Sequence, residues 1–483
     1  MPKIGETMTM AVPTQVVAEA DVVVAGGGTA GVVAALAAAR QGARVILIER
    51  YGGLGGMVTT GNAGLTMYMK YSGEPEKHAE DQTTLATDPA QVQVAGGITK
   101  EIADRLIRTG VGIGNTGQAG SYVFTSSEDF KYLLFEMMKE AGVVMRLHSW
   151  VVDVLMDGDA VTGVVTESKS GRQVILAKQV IDATGDGDVA FQAGVPFTVG
   201  MTEDDLSVQY GSKVGVMTPM GVMFKMGNVD VNRLLEWAGE EPRHFRVQRF
   251  AQLTYEEVVE RFAKGEMACC MISSGLEGPP KGFQVYNLPT PGVVTLCCPC
   301  AWGDGTKVED LTEAEVSMAA LVQEWVRNVQ AVPGFEGSFL LDCPEIGVRE
   351  TRHMAGDYVL NMEDVYNGEE FADCIGRGSH PIDSPNRVPW LKDVAKAFPD
   401  RWSFGIPYRS LLAKGIANLH VVGRCMSTTH EAFGSIRPTV QCMITGEAAG
   451  VAAALCAQSD LPDLRALDFA VLRQALLDQG VVL

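Results

Sequence analysis

The first fifty residues carry a clear pattern of apolar and polar positions. The apolar run from Asp21 to Ala25 predicts a buried strand, and the alanine-rich segment from Thr29 to Gln41 predicts a helix closed by Gly42. The apolar run from Val45 to Ile48 predicts a second strand. Strand, helix and strand joined by short connections indicate a βαβ unit with parallel strands.

Glycines occupy the turn between the first strand and the helix. Gly26, Gly28 and Gly31 match G-x-G-x-x-G, in which the glycines permit a tight turn, close approach to a pyrophosphate and close helix packing. Glu49 follows Gly31 by 18 residues, near the roughly 20-residue spacing at which an acid meets a ribose hydroxyl. Because that acid repels a 2′-phosphate, the unit predicts binding of FAD or NAD rather than NADP.

A second glycine-rich loop follows Glu49. Its sequence, YGGLGGMVTTGNAG, contains the doublets Gly52-Gly53 and Gly55-Gly56 and few large side chains. A second loop of this kind suits a longer ligand and favours FAD over NAD. A flexible surface loop is the alternative interpretation, because glycine clusters commonly mark turns.

Further elements are predicted along the chain. Between residues 143 and 188, the pairs Asp157-Gly158 and Ser170-Gly171 separate alternating apolar runs and predict antiparallel strands joined by hairpins. Amphipathic helices are predicted over 97–108 and 127–140, the second capped by Ser126 or Ser127. From 201 to 403 the pattern mixes helices with strand-like runs, the helices at 254–264 and 312–330 and the strand-like runs at 214–226 and 284–298.

Two later segments carry a family resemblance. The run from Ala183 to Asp188, ATGDGD, resembles the motif at which a strand returns to FAD in the glutathione-reductase-like superfamily. Residues 418–456 resemble the last strand, flavin loop and closing helix of that superfamily. With residues 347–360 and 406–424, the chain resembles the single-chain FAD-dependent oxidoreductases related to the flavin subunit of heterodisulfide reductase.

The resemblance implies FAD as the cofactor and places its contacts at both ends of the chain. The predicted FAD-binding residues are Gly26, Gly28, Thr29, Ala30, Gly31, Glu49, Arg50, Gly55, Gly56, Met57, Val151, Ala183, Thr184, Gly185, Gly423, Arg424, Ser435, Ile436 and Arg437.

The predicted fold class is α/β, with a Rossmann-like FAD-binding domain that carries a β-meander insertion and is interleaved with a mixed α+β substrate domain. At 483 residues the chain is too long for one ordinary core. We expect an N-terminal extension, two parts of the FAD-binding domain around the substrate domain, and a tail, with bounds 1–19, 20–200, 201–403, 404–460 and 461–483.

The charge and the cysteine content of the chain limit the classes of binding partner and the cellular location that we expect. With 39 basic and 59 acidic residues, the net charge of −20 argues against nucleic acid or an anionic membrane as a partner. The N-terminal segment lacks an apolar signal region, and residues 448–455 are too short to span a membrane. Ten cysteines without a secretion signal indicate free thiols and a cytoplasmic location.

Five cysteines form two groups. Cys297, Cys298 and Cys300 lie close together, and Cys269 and Cys270 lie upstream. Cys297 and Cys300 have C-x-x-C spacing, but no second pair of this kind exists in the sequence to complete a four-thiolate site. We therefore interpret both groups as buried apolar thiols and predict no metal site and no redox-active disulfide.

The candidate catalytic residues follow from flavin chemistry. Arg437 is placed to stabilise negative charge on a reduced flavin, and Pro438 suits the first position of a helix reaching Cys456. His430 and Glu431, in the same loop, are the candidates for proton transfer.

Arg349, Arg352 and His353 are candidates for substrate contact, because two arginines at that spacing suit a carboxylate. Arg377, His380 and Arg387 lie in a loop rich in glycine and proline and are weaker candidates of the same kind.

The sequence therefore predicts an FAD-dependent oxidoreductase that transfers a hydride between flavin N5 and a small organic molecule, with a carboxylated CH–OH or CH–CH compound as the candidate. An electron-transfer subunit of a larger redox complex and a flavin monooxygenase are the alternatives. The electron donor or acceptor and the oligomeric state stay open.

Overall fold

The computed structural model describes residues 4–67, 70–71, 92–114, 121–209, 211–240, 243–246, 254–380 and 403–483 of the chain. Its strands are β1 Gln15–Ala25, β2 Val45–Ile48, β3 Leu65–Met67, β4 Lys70–Tyr71, β5 Val92–Gln93, β6 Gly112–Gly114, β7 Ser121–Thr125, β8 Val144–Arg146, β9 Trp150–Asp157, β10 Ala160–Ser168, β11 Gly171–Asp182, β12 Phe197–Val199, β13 Met220–Gly227, β14 Phe245–Arg246, β15 Cys269–Ser273, β16 Gly282–Asn287, β17 Val294–Ala301, β18 Phe339–Asp342, β19 Arg352–Met354, β20 Cys374–Gly378, β21 Phe404–Pro407 and β22 Leu419–Val421.

The α-helices alternate with these strands. They are α1 Thr29–Arg40, α2 Met57–Thr60, α3 Gly97–Arg108, α4 Ser127–Glu140, α5 Asp188–Gln192, α6 Leu206–Gln209, α7 Val231–Glu240, α8 Tyr255–Lys264, α9 Val308–Val329, α10 Met362–Asn367, α11 His430–Ile436, α12 Thr439–Gln458 and α13 Phe469–Asp478. Short 3₁₀ turns lie at Tyr408–Leu411, Gly423–Cys425 and Leu464–Ala466.

The first sheet joins distant parts of the chain. Strands β8, β2, β1 and β11 are parallel neighbours, and β22 pairs in parallel with the last three residues of β11. The first part of β11 instead pairs antiparallel with β10, which pairs with β9. The predicted βαβ unit and β-meander are therefore confirmed.

Strand β1 begins earlier than predicted. Residues 15–20 pair with residues 173–177 of the long strand β11, so part of the expected N-terminal extension belongs to the first sheet. The predicted helices at 97–108 and 127–140 are confirmed, and the Ser126 side chain accepts a hydrogen bond from the N–H of Asp129.

Helices α1 and α12 pack together over the first sheet. A Cβ atom at Gly446 would lie 2.1 Å from the carbonyl oxygen of Ala30, and one at Gly450 would lie 2.2 Å from that of Ala34. The two glycines therefore allow the backbones to approach closely. Helix α12 is long and apolar enough to cross a membrane, but 94% of its apolar stretch is buried inside the protein. It is a core helix.

The second sheet is antiparallel, in the order β14-β15-β16-β17-β13-β18. Helix α9 covers it, with Trp325 packed edge-on against Phe224 at a ring distance of 6.1 Å. The run predicted at 284–298 is a hairpin of two strands rather than one, and α9 begins at Val308 rather than at 312. The α/β fold class is confirmed, and the domain boundaries stay a prediction.

Candidate active site

A cavity of about 760 Å³ lies between the two sheets, a size typical of ligand sites. One wall comes from the glycine-rich turns and helix ends of the first sheet. The opposite wall comes from β13, β16 and β17 and from residues 345–349. The cavity therefore joins the predicted nucleotide-binding unit to the second sheet.

The first turn of α1 opens on this cavity. Its N-cap residue Gly28 provides no side-chain cap, and Gly28, Thr29 and Ala30 line the wall. A Cβ atom at Gly28 would meet no protein atom within 4 Å, whereas one at Gly26 would lie 2.3 Å from the carbonyl oxygen of Ala183. The end of a helix with uncapped N–H groups and a positive dipole is suited to a phosphate group.

The Glu49 carboxylate joins two backbone turns beside the helix. Its Oε2 accepts a hydrogen bond from the N–H of Gly27 at 2.6 Å, and its Oε1 accepts one from the N–H of Tyr51 at 2.8 Å. Burial raises the pKa of Glu49 despite these bonds. The carboxylate lines the cavity, as expected of a ribose-binding acid.

Arg50 lines the cavity next to aromatic rings. Its guanidinium carbon lies 5.5 Å from the Trp150 ring centre and 5.0 Å from that of Tyr51. Trp150 lines the wall, whereas the predicted contact Val151 is buried in the core behind the sheet. Neighbouring strand residues face opposite sides, so the Trp150 side chain faces the cavity and the Val151 side chain faces the core, and a contact between Val151 and FAD stays a prediction.

The predicted ATG turn is held by its own acid. Asp182 accepts hydrogen bonds from the hydroxyl of Thr184 at 2.7 Å and from the N–H of Ala190 at 2.8 Å. The turn then meets the loop after β22, where Arg424 Nη2 donates to Asp186 at 2.5 Å. Burial opposes ionisation of Asp186, but Arg424 and Arg50 outweigh it and lower its pKa. Both segments consequently line the cavity, through Ala183, Thr184, Gly185, Gly423 and Arg424.

Arg437 lies where α11 ends and α12 begins. Its guanidinium carbon is 5.9 Å from the Phe433 ring centre, and the residue lines the cavity with Pro438 and Thr439. Pro438 is the N-cap of α12, with ψ of 152°, rather than its first helical residue as predicted. No side chain caps this helix either.

Five predicted FAD contacts lie outside the cavity wall. Besides Val151, they are Gly31, Gly55, Ser435 and Ile436. Gly31 packs α1 against the first turn, and Gly55 donates its N–H to the carbonyl of Gly27, so both shape the wall from behind. Ser435 and Ile436 are fully buried in α11. Gly56 and Met57 line the wall.

The two predicted histidines share one buried acid that was not predicted. Glu350 Oε1 lies 2.8 Å from His353 Nε2 and 2.7 Å from His430 Nδ1. Burial opposes ionisation of Glu350, but the two histidines outweigh it and hold its pKa below the usual range. For His430, burial is likewise outweighed by Glu350, and its pKa is raised.

The residues that line the cavity do not include Glu350, His353 or His430. Their three ligand-type atoms lie within 4.8 Å of one another, and the hydrogen bonds account for that proximity. The assignment of His430 and His353 to proton transfer or substrate contact is therefore not supported by their position. No local pattern marks Glu350, because one of its partners lies 80 residues along the chain.

Glu431 and Arg352 also have structural contacts. Glu431 accepts hydrogen bonds from the N–H groups of Leu206 and Ser207 at 3.0 and 2.6 Å, which caps α6. Arg352 donates to the carbonyl of Asp186 at 2.9 Å and lies 4.3 Å from the Phe191 ring centre. Among the predicted catalytic residues, only Arg437 lines the cavity.

Three thiols line the cavity wall, although the sequence predicts buried apolar thiols at their positions. Cys297, Cys298 and Cys300 line it together with Arg349, and Cys300 is exposed. The interpretation is wrong for these three and confirmed for Cys269 and Cys270, which are fully buried. His380 lines the same cavity, and Arg387 lies outside the described residues.

A family model described as FAD dependent oxidoreductase matches residues 21–476. The chain belongs to this family. It is therefore an FAD-dependent oxidoreductase, and the uncapped helix ends, the small residues and the Glu49 carboxylate of the cavity fit that cofactor. The narrower resemblance to heterodisulfide reductase stays a prediction.

Similar solved structures are distant in sequence. They include a geranylgeranyl bacteriochlorophyll reductase-like protein from Thermoplasma acidophilum, with 14% identity and a TM-score of 0.41 over 96% of this chain and 82% of that chain. The p-nitrophenol 4-monooxygenase of Pseudomonas putida has 13% identity and a TM-score of 0.41 over 96% and 84% of the two chains. No curated protein matches the chain.

Proposed function

We propose that this enzyme holds FAD along the cavity and transfers a hydride between a small organic substrate and flavin N5. The observation that carries the proposal is that one cavity joins the uncapped start of α1 to Arg437 and to the wall of the second sheet. A cofactor held at the first wall would leave its reactive end facing the second.

The first wall would hold the nucleotide part of FAD. We assign the pyrophosphate to the N–H groups of Thr29 and Ala30, where Gly28 leaves room for it. Glu49 would accept a hydrogen bond from the ribose. Arg424, fixed by Asp186, and Arg50, stacked near Trp150, complete this wall with positive charge.

Arg437 would act at the flavin. FAD, when bound, supplies a hydride acceptor or donor at N5. Negative charge grows on the ring during reduction, so a guanidinium and the uncapped start of α12 stabilise the reduced state. Because Arg437 is the C-cap of α11 and precedes that start, both charges act from one place.

The second wall would bind the substrate. It presents Met223, Gln284 and Tyr286, and the Tyr286 ring stacks on Phe124 at 5.0 Å. This mixture of apolar and amide surface suits a small organic molecule. We propose no preference for a carboxylate, because the two arginines that suggested it have protein partners: Arg352 donates to the carbonyl of Asp186 and Arg349 to that of Pro219.

We assign proton transfer to His380. Oxidation of CH–OH or CH–CH requires a base near the hydride donor, and imidazole is suited to that role. Among the described residues, His380 is the histidine that lines the cavity.

Anaerobic mixing with candidate alcohols, amines and acids tests the proposal by flavin bleaching at about 450 nm. We expect at least one small compound to reduce the flavin of the isolated enzyme. Bleaching by NAD(P)H alone, followed by oxygen transfer to a product, would instead establish a monooxygenase. Reduction only by a partner protein would establish an electron-transfer subunit.

A cytoplasmic location is expected from the charge and the free thiols.

A further inference from the structure

Two thiols of β17 meet inside the cavity. Cys298 and Cys300 occupy alternate positions of the strand, so both point toward the same side. Their sulfur atoms lie 3.8 Å apart, and both residues line the cavity wall. To form a disulfide bond of about 2.05 Å, the sulfurs must approach each other by less than 2 Å.

Arg349 contacts both sulfur atoms. Its Nη2 donates to Cys298 Sγ at 3.1 Å and its Nη1 contacts Cys300 Sγ at 3.6 Å. Nη1 also donates to the carbonyl of Pro219 at 2.6 Å, which fixes the guanidinium. A guanidinium held beside a sulfur favours the thiolate.

The neighbouring strand β13 leaves room for this guanidinium. A Cβ atom at Gly221 would lie 2.6 Å from Arg349 Nη1, so a larger residue would displace it. Residues from two strands and from the segment before β19 therefore build the site together.

The surroundings of the two thiols shift their pKa values in opposite directions. Hydrogen bonds from Cys297 and Cys300, together with the charge of Arg349, lower the pKa of Cys298 well below its usual value. The pKa of Cys300 is raised instead, by the hydrogen bond to Cys298 and by burial. The contacts therefore favour the thiolate at Cys298 and the thiol at Cys300, the arrangement of a nucleophile beside its resolving partner.

We propose that Cys298 and Cys300 form a redox-active dithiol–disulfide pair that exchanges two electrons with FAD in the cavity. The proposal rests on the proposed function only in placing FAD in this cavity. On closing, the Cys298 thiolate and the Cys300 thiol form an S–S bond, the S–H bond of Cys300 breaks, and two electrons and one proton pass to oxidised FAD. The reverse reaction opens the disulfide.

An anaerobic titration with dithionite counts the electrons. The purified enzyme is first oxidised with a small disulfide, oxidised glutathione, and freed of it. Wild type should then take up about four electrons per FAD, whereas Cys300→Ser and Cys298→Ser should take up about two, because each redox couple accepts two. Cys343→Ser removes an exposed thiol that does not line the cavity and should behave as wild type.

Mass spectrometry gives a readout independent of the flavin. After acid quenching and alkylation, we expect a Cys298–Cys300 disulfide in the oxidised wild type and free thiols after reduction. In Arg349→Gln, alkylation of the reduced Cys298 by iodoacetamide near pH 7 should slow by roughly tenfold, because less thiolate is present. Equal alkylation rates would remove Arg349 from the site.

Two outcomes would overturn the proposal. One is an uptake of about two electrons by wild type with no Cys298–Cys300 disulfide. The other is a disulfide that forms but stays closed while the flavin is reduced. If organic compounds still bleach the flavin in either case, the proposed function stands without the thiol pair. If the thiol pair exchanges electrons and no organic compound does, the proposed function fails instead.

Discussion

The carbonyl oxygen of Gly26 lies 1.8 Å from the position that a Cβ atom would occupy on Gly31. Any side chain at Gly31 therefore pushes α1 away from the end of β1. The corresponding position on Gly28 meets no protein atom within 4 Å and opens on the cavity. Two glycines of one motif thus differ in their surroundings: Gly31 is required by the packing of α1 on the end of β1, whereas Gly28 leaves space in the cavity.

We predict that Gly28→Val abolishes FAD binding and leaves the folded apoprotein intact. The backbone at Gly28 has φ of −67°, which valine tolerates, and the added methyl groups occupy cavity space. Gly31→Val should instead lower the free energy of unfolding by about 3 kcal/mol, as overpacking does. The absorbance of bound flavin and urea unfolding of the apoproteins measure the two effects. Equal loss of stability in both variants would contradict this division.

Arg437→Ala should lower the flavin reduction potential while FAD stays bound. Each 1.4 kcal/mol of lost stabilisation of the reduced form corresponds to about 30 mV for a two-electron couple. Spectroelectrochemical titration measures the potential. Arg473→Ala, which removes an exposed arginine from α13, is the control and should leave the potential unchanged. An unchanged potential in fully loaded Arg437→Ala would make Arg437 a structural residue.

His380→Gln should slow reduction of the flavin by substrate by roughly 10²-fold, the scale of a lost general base. His430→Gln should have little effect on that rate in folded protein, because His430 lies outside the cavity wall. It should instead destabilise the fold by about 1 to 3 kcal/mol, since Glu350 loses a buried hydrogen bond. Stopped-flow reduction and thermal unfolding separate the two. A slow His430→Gln with unchanged Tm would return catalysis to the buried histidine.

We predict that the folded protein loses stability as the pH rises, because Glu447 is buried. Its carboxylate, buried in α12, accepts hydrogen bonds from the N–H of Ile98 at 3.1 Å, and burial raises its pKa to about 8. The unfolded chain releases this proton near pH 4.3, so the stabilisation is complete below that pH and is lost as the pH rises through about 8.

The variant Glu447→Gln keeps an oxygen acceptor and does not titrate. The difference in free energy of unfolding between the variant and wild type should therefore shift in favour of the variant from about pH 5 to pH 8. The shift should reach up to about 1.4 kcal/mol per unit of pKa difference between the folded and unfolded states. Urea unfolding at pH 5 and pH 8 measures this. Glu140→Gln, at the exposed end of α4, serves as the control. Parallel pH profiles for wild type and Glu447→Gln would show that the acid is ionised in the folded protein.

The sequence predicted the parts of the site that depend on near neighbours. Gly26, Gly28 and Glu49 belong to one βαβ unit, and their spacing within it was enough to predict that they lie together, as they do on the cavity wall. His430 lies seven residues before Arg437, and this spacing does not show which side of α11 faces the cavity. Cys298 was misread because its meaning depends on Arg349, 51 residues away. Pairings of this kind arise from packing, which periodicity does not report.

The pairing of β22 with β11 and the packing of α12 on α1 carry a consequence for biosynthesis. The ribosome releases α1 about 400 residues before α12, which at 5–20 residues per second amounts to roughly 20 to 80 s. During that interval the nascent βαβ unit exposes the surface that α12 later covers. Because the cavity wall includes Arg437, Pro438 and Thr439, we expect complete cofactor binding only after α12 has been synthesised, and exposed apolar surface of this kind favours aggregation in the meantime.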